Sequence, residues 1–342
     1  MKAGIVYGPR NIKVEEVDKP VPGPGEVLVE VKAAGICGSD LHYHRSDIGV
    51  SATGTIMSGH ELSGRIAAVG EGVKERKVGE RIGVEPLLGC GECEFCAVGQ
   101  YQLCKKLTHP GGGFREYTTI SEEKAFPIPD NVSYDEAAVI DCLAVGVHAV
   151  QKADVTITDT VAVIGDAATG VSTVEVARAA GARKVALIGH HEKNIEIGKR
   201  VGADIGINSK DADEVEAMME FTDGEGCDVV VETVGGTTNT LERAAQIVKP
   251  GGRIVVLGIF KKPMALDFGS LVRREVDIIS SFSYSTWNGV IEFEITLDML
   301  ARGVLDGESL ITHRFPIEKL SDAFDAALNK GESGALKVLI TY

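Results

Sequence analysis

Four short β-branched runs, at residues 160–164, 184–188, 228–231 and 253–257, alternate with helix-length segments such as 171–180 and 192–201. Parallel strands need long crossovers, and the helices that make them must cover both faces of the sheet they join. The expected fold class is therefore α/β, with a doubly wound parallel sheet in this part of the chain.

Gly165-Asp166-Ala167-Ala168-Thr169-Gly170 stands where the first of these strands gives way to its helix. In a doubly wound sheet this is where backbone N–H groups and a helix N-terminus receive a pyrophosphate. Ala167 replaces the middle glycine, and Asp166 adds a negative charge that must point away from the phosphates. The competing reading is a tight strand-to-helix turn. The second strand ends in Gly189, followed by His190, His191, Glu192 and Lys193. An acidic residue about 20 positions past the glycines usually bonds the ribose hydroxyls of NAD. Its absence at Gly189, with His190, His191 or Lys193 as donors to a 2′-phosphate, leads to the expectation that NADP is preferred, NAD remaining possible. A solvated loop with two surface histidines is the alternative.

Up to about residue 117 the pattern is different: β-branched runs punctuated by Gly and Pro, as in Val27-Leu28-Val29-Glu30-Val31 and Pro20-Val21-Pro22-Gly23-Pro24-Gly25. This predicts a mostly β, barrel-like domain. It carries Gly35-Ile36-Cys37-Gly38-Ser39-Asp40-Leu41-His42 and Gly59-His60-Glu61. Cys, His and Glu are side chains that Zn²⁺ prefers, and a catalytic zinc keeps one position open. Ser39 and His42 stand close enough to Cys37 in sequence to pass a proton to solvent. Cys90, Cys93 and Cys96, with Cys104 beyond, form the most specific local signal. Four thiolates close a tetrahedral shell around a structural Zn²⁺; an iron–sulfur cluster and unligated thiols are the competing readings.

At 342 residues the chain is long enough for two domains. A net charge of −15 repels nucleic acid and anionic membranes as partners. No apolar run approaches the roughly 18 residues of a membrane span, and the N-terminus lacks an apolar signal core. A cytoplasmic location is expected, and there clustered cysteines read as metal ligands rather than disulfides. Ser133 is placed to cap a helix running through residues 136–140 and carrying Asp141 and Cys142. Past residue 285, two helix-like stretches, 294–301 and 321–328, lead to a closing apolar run at 336–340. A tail this short is expected to return to the first domain.

Taken together, these motifs, with Gly112-Gly113-Phe114-Arg115-Glu116-Tyr117 and Gly251-Gly252-Arg253-Ile254-Val255, resemble those of zinc-dependent medium-chain alcohol dehydrogenases over essentially the whole chain. Within that family the similarity is greatest to the sorbitol, polyol and threonine branch. The resemblance implies a GroES-like catalytic domain, residues 1–145 and 286–342, and a Rossmann domain, residues 146–285. It implies two zinc ions per subunit. Cys37 and His60 would bind the catalytic one, with Glu61 as an alternating ligand or just behind it, and Cys90, Cys93, Cys96 and Cys104 the structural one. Asp40 would orient His60, and Ser39 with His42 would relay the proton. Asp141-Cys142 stands where the polyol branch has Glu-Pro, so Asp141 or Cys142 would complete the catalytic set. Thr233, Val234, Leu257, Gly258 and Ile259 would join the glycine turn and the 189–193 segment in holding the cofactor. The implied reaction moves hydride between the nicotinamide and a primary or secondary alcohol or polyol whose oxygen sits on zinc, in a homo-oligomer, tetramer or dimer. The alternatives are a zinc- and nucleotide-binding protein without turnover and a zinc-independent quinone or enoyl reductase.

Overall fold

The computed structural model describes residues 1–45 and 54–342. The chain divides into two units, Met1–Asp141 with Ser285–Tyr342, and Cys142–Tyr284.

The first unit is organised around the strand Glu26–Gly35, in which Val27, Val29 and Val31 are fully buried. One edge of this strand pairs antiparallel with Glu61–Val69. The other edge is shared: residues 26–30 pair with Tyr117–Ser121, and residues 33–35 with Lys337–Thr341 near the C-terminus. Arg81–Val84, Ala125–Pro127 and Ile311–Pro316 complete this seven-stranded sheet. A second sheet joins Asn11–Glu16, Lys2–Gly8 and Thr55–Ile56. The core between them contains Leu62, Ile66, Ile82, Phe114, Ile120 and Phe324, all under 2% exposed. Each such side chain contributes about 1.5–3 kcal/mol by leaving water.

Ser133 caps the helix Tyr134–Ala138 in a reciprocal box: its hydroxyl accepts from Glu136 N–H, and the Glu136 carboxylate accepts from Ser133 N–H at 2.9 Å. The helix does not run on as the sequence suggests. It stops at Val139, and a second helix, Ile140–Lys152, begins there with Asp141 in its first turn.

The second unit holds a six-stranded, all-parallel sheet in the spatial order Ile205–Asn208, Lys184–Gly189, Thr160–Ile164, Cys227–Glu232, Val248–Val256, Asp277–Ser280. Numbered along the chain this is 3-2-1-4-5-6, the doubly wound order of dinucleotide-binding domains. Val161, Ala162 and Val163 are fully buried because helices cover both faces. The two outermost strands, Ile205–Asn208 and Asp277–Ser280, are absent from the sequence reading. Each has four residues and is partly exposed, so neither carries the continuous apolar run that marks a central strand.

Candidate metal centre and nucleotide-binding turn

Cys37 stands two residues past the end of the strand Glu26–Gly35, and His60 immediately precedes Glu61–Val69. Antiparallel pairing sets Gly35 opposite Glu61. That register brings one ligand atom from each of Cys37, His60 and Glu61 within 4.8 Å of one another. Two glycines permit it. Gly59 has φ +59°, and a methyl group there would lie 2.8 Å from the Phe114 ring; Gly59 also accepts from Gly112 N–H and Gly113 N–H. The Gly-His-Glu and Gly-Gly-Phe motifs are thus two halves of one packing contact. At Gly35 a side chain would collide with the Glu61 carboxylate.

Asp40 is 4% exposed and accepts from Cys37 N–H at 2.9 Å. Its other oxygen lies 3.9 Å from His60 Nδ1, at ion-pair rather than hydrogen-bond distance. Burial pushes the Asp40 carboxyl up to about 6, against the pull of His60 and the Cys37 N–H. At His60 burial opposes the charged ring, but the Cys37 sulfur, Asp40 and Asp141 outweigh it and raise the pKa well above the ordinary value. Asp141 lies outside the 4.8 Å group, yet its charge acts on His60. Cys142, the alternative, is 5% exposed. A thiolate, an imidazole and a carboxylate converging this closely suit a zinc site with an open position.

Ser39 and His42 lie three residues apart on the helix Gly38–Arg45, which makes them neighbours on its surface. Arg45 Nη2 lies 3.2 Å from His42 Nδ1. Guanidinium can only donate, so Nδ1 accepts and the neutral ring carries its proton on Nε2.

One sulfur from each of Cys90, Cys93, Cys96 and Cys104 falls in a second group within 4.8 Å, a donor set that closes a four-thiolate shell. Backbone N–H groups of Glu92 and Cys93 hold Cys90 down at about 7, while burial pushes Cys96 up to about 11. The loop is tied to the sheet through Tyr101, whose hydroxyl donates to the buried Glu85; Glu85 in turn pairs with Lys124 at 2.8 Å.

In the second unit, Gly165 has φ +117°, and a side chain at Gly170 would collide with the Gly165 carbonyl. The two outer glycines are therefore fixed by geometry, whereas the Ala167 methyl is exposed. Ala167 is the N-cap of the helix Ala168–Ala179 and supplies no side-chain cap. Its first N–H groups are left for an anion. Thr233 N–H donates to Ile164 O at 2.9 Å, which sets the segment after Cys227–Glu232 beside the turn. Val234 N–H donates to the Glu232 side chain, and Leu257 and Gly258 N–H to the Glu232 carbonyl. Ile259 is 71% exposed.

The end of Lys184–Gly189 holds a group that the sequence did not place there. The space beside Gly189 is not free of negative charge: the Asp166 side chain fills it. Asp166 accepts from His190 N–H at 2.8 Å and His191 N–H at 2.6 Å, and its carboxylate lies 3.1 Å from His191 Nδ1. The His190 ring meets Ser209 Oγ at 2.9 Å, and Lys193 is exposed. Gly189 itself carries no carboxylate, as the sequence shows, but that of Asp166 stands beside it.

Two residues escaped the sequence reading. Lys337 sits in the closing strand and holds both Glu61 oxygens, at 2.8 and 2.7 Å, with 3% of its side chain exposed. The signal was a lone Lys inside an otherwise apolar run. Arg45 left no signal of its own.

Residues 23–130 match the family model of the alcohol dehydrogenase GroES-like domain, and residues 168–301 that of the zinc-binding dehydrogenase. The chain is 35% identical to sorbitol dehydrogenase of Bacillus subtilis, over 99% of its own length and 97% of that protein's. An alcohol dehydrogenase of Escherichia coli crystallised with NADH shares 30% identity at a TM-score of 0.91, covering 100% of this chain and 99% of that one. A zinc-binding dehydrogenase of Sinorhizobium meliloti bound to NADP shares 29% identity at a TM-score of 0.90, with the same coverage. The chain belongs to the zinc-dependent medium-chain alcohol dehydrogenase family.

Proposed function

We propose that this dehydrogenase oxidises a carbinol of a polyol or related alcohol, with a nicotinamide dinucleotide accepting the hydride. The observation that carries the reading is the convergence of Cys37, His60 and Glu61 beside a helix that bears Ser39 and His42. Zn²⁺ bound there supplies Lewis acidity toward an alcohol oxygen, and the dinucleotide supplies the hydride acceptor. Cys37 and His60 hold the metal, with Asp141 or Cys142 as the further ligand. Lys337 neutralises Glu61 and keeps it just behind them, and Asp40 holds the Cys37 backbone. Ser39 takes the alcohol proton while passing its own hydroxyl proton to Nδ1 of His42, the ring nitrogen without a proton, as Arg45 gives up its contact there. Cys90, Cys93, Cys96 and Cys104 bind a second, structural zinc, a reading supported by their four converging sulfurs.

The glycine turn from Gly165 to Gly170, with Thr233, Val234, Leu257, Gly258 and Ile259, holds the dinucleotide; relatives with NADH and with NADP support either form. The choice between them rests on the end of Lys184–Gly189. Polyols are favoured as substrates by the similarity to sorbitol dehydrogenase. A cytoplasmic homo-oligomer belongs to the same proposal on family grounds. The test is a screen of polyols, sugars, secondary alcohols and amino alcohols with each dinucleotide; best turnover on a polyol supports the reading, and turnover on none of them overturns it.

His42→Ala is expected to lower turnover at neutral pH by about 10²-fold, the scale of a positioned proton acceptor. Recovery should be partial at high pH, where hydroxide takes the proton, and NADH affinity should hold. An unchanged pH–rate profile would remove His42 from the relay.

A further inference from the structure

In a doubly wound sheet, the acidic group that selects NAD stands at the end of the second strand, where it accepts from the ribose hydroxyls. Here that strand ends in Gly189, which has no side chain to offer. The position is nevertheless occupied. A side chain on Gly189 would collide with Cβ and Cγ of Asp166, so the two residues compete for one space and Asp166 has it.

Asp166 is fixed there from several sides. It is 6% exposed, and its Oδ2 accepts from the peptide N–H groups of both His190 and His191. Its carbonyl accepts from Asn194 Nδ2 at 3.0 Å, and Asn194 is itself 1% exposed. These contacts have two consequences for an adenosine ribose at the strand end. The two peptide donors that an added phosphate would need are already committed to a carboxylate. The neighbouring imidazoles are committed as well, His191 to Asp166 and His190 to Ser209. A 2′-phosphate carries nearly two negative charges and three acceptor oxygens, and would meet an acceptor. A ribose diol has two donors to offer the same group.

We propose that Asp166, supplied by the glycine turn rather than by the second strand, takes the place of the strand-end acid and makes the chain select NAD over NADP. The proposal rests on the reading of the second unit as the dinucleotide site, and its test is chosen to separate the two. Equilibrium binding of NADH and of NADPH to the purified full chain, by calorimetry or fluorescence titration, needs neither substrate nor turnover. NADH is expected to bind at least about tenfold more tightly, the discrimination that one charge-assisted hydrogen bond provides.

Asp166→Ser should narrow that ratio or invert it through a gain in NADPH affinity. Asp166→Asn does the same test on an isosteric side chain if the serine variant folds poorly. The exchange Asp166→Gly with Gly189→Asp moves the carboxylate to the strand and should restore the NADH preference, whereas Gly189→Asp alone should collide with Asp166 and lower the melting temperature. Tighter or equal binding of NADPH by the unaltered protein would overturn the proposal, as would variants that change both affinities by one factor. Failure to bind either dinucleotide would overturn the reading of the site itself.

Discussion

Cys37→Ser is expected to lower kcat/KM by about three powers of ten while leaving the fold in place. A Lewis acid contributes several kcal/mol of transition-state stabilisation, and each 1.36 kcal/mol is tenfold in rate. A serine hydroxyl is a far poorer zinc ligand than a thiolate, so the substitution removes that contribution at its origin. The fold should survive because Cys37 is only partly buried and lies just past the end of the strand Glu26–Gly35 rather than in the core. Circular dichroism and NADH affinity serve as controls. Activity within tenfold of the unaltered protein, with folding intact, would show that Cys37 does not hold a catalytic metal.

Lys337→Met has the largest expected effect on stability. Glu61 and Lys337 are both nearly inaccessible, and the ammonium holds both carboxylate oxygens. Removing one partner of a buried pair leaves the other uncompensated, at a cost of about 3–5 kcal/mol. Methionine keeps most of the lysine's volume, so the loss reads the charge rather than a cavity. The double variant Glu61→Gln with Lys337→Met should recover much of the loss, since no charge is then stranded. Chemical denaturation of the three variants forms the cycle. A loss below about 1 kcal/mol in the single variant would mean that Glu61 is not held as a charged group.

What the sequence revealed follows from what local pattern controls. The alternation of apolar runs and helix-length segments identified the central strands of the parallel sheet, because strands covered on both faces must be apolar throughout. The edge strands Ile205–Asn208 and Asp277–Ser280 were hidden because partial exposure relaxes that demand. Cys90, Cys93, Cys96 and Cys104 were readable from spacing alone, since they lie on one loop. Cys37 and His60 could be named from residue type, but their meeting depends on the antiparallel register that sets Gly35 opposite Glu61. Lys337 could be noticed as a lone Lys in an apolar run, but its pairing with Glu61 was out of reach for the same reason: it arrives from the far end of the chain, in a strand paired to Glu26–Gly35. Gly189 shows the limit most clearly. A missing side chain reads as open space in a sequence, and in the fold that space is taken by a carboxylate 23 positions earlier, at Asp166.

The central claim is that turnover depends on zinc held at Cys37 and His60, in a chain that holds a second zinc at its four-cysteine loop. It is tested most directly by following zinc content and alcohol oxidation together during graded chelation of the freshly purified protein. A closed four-thiolate shell holds its metal more firmly than an open site. The expected result is about two zinc equivalents at the start, with activity falling in step with loss of the first and returning when zinc is restored. The second equivalent should leave only as the protein unfolds. Full turnover by protein stripped of all zinc would contradict the account.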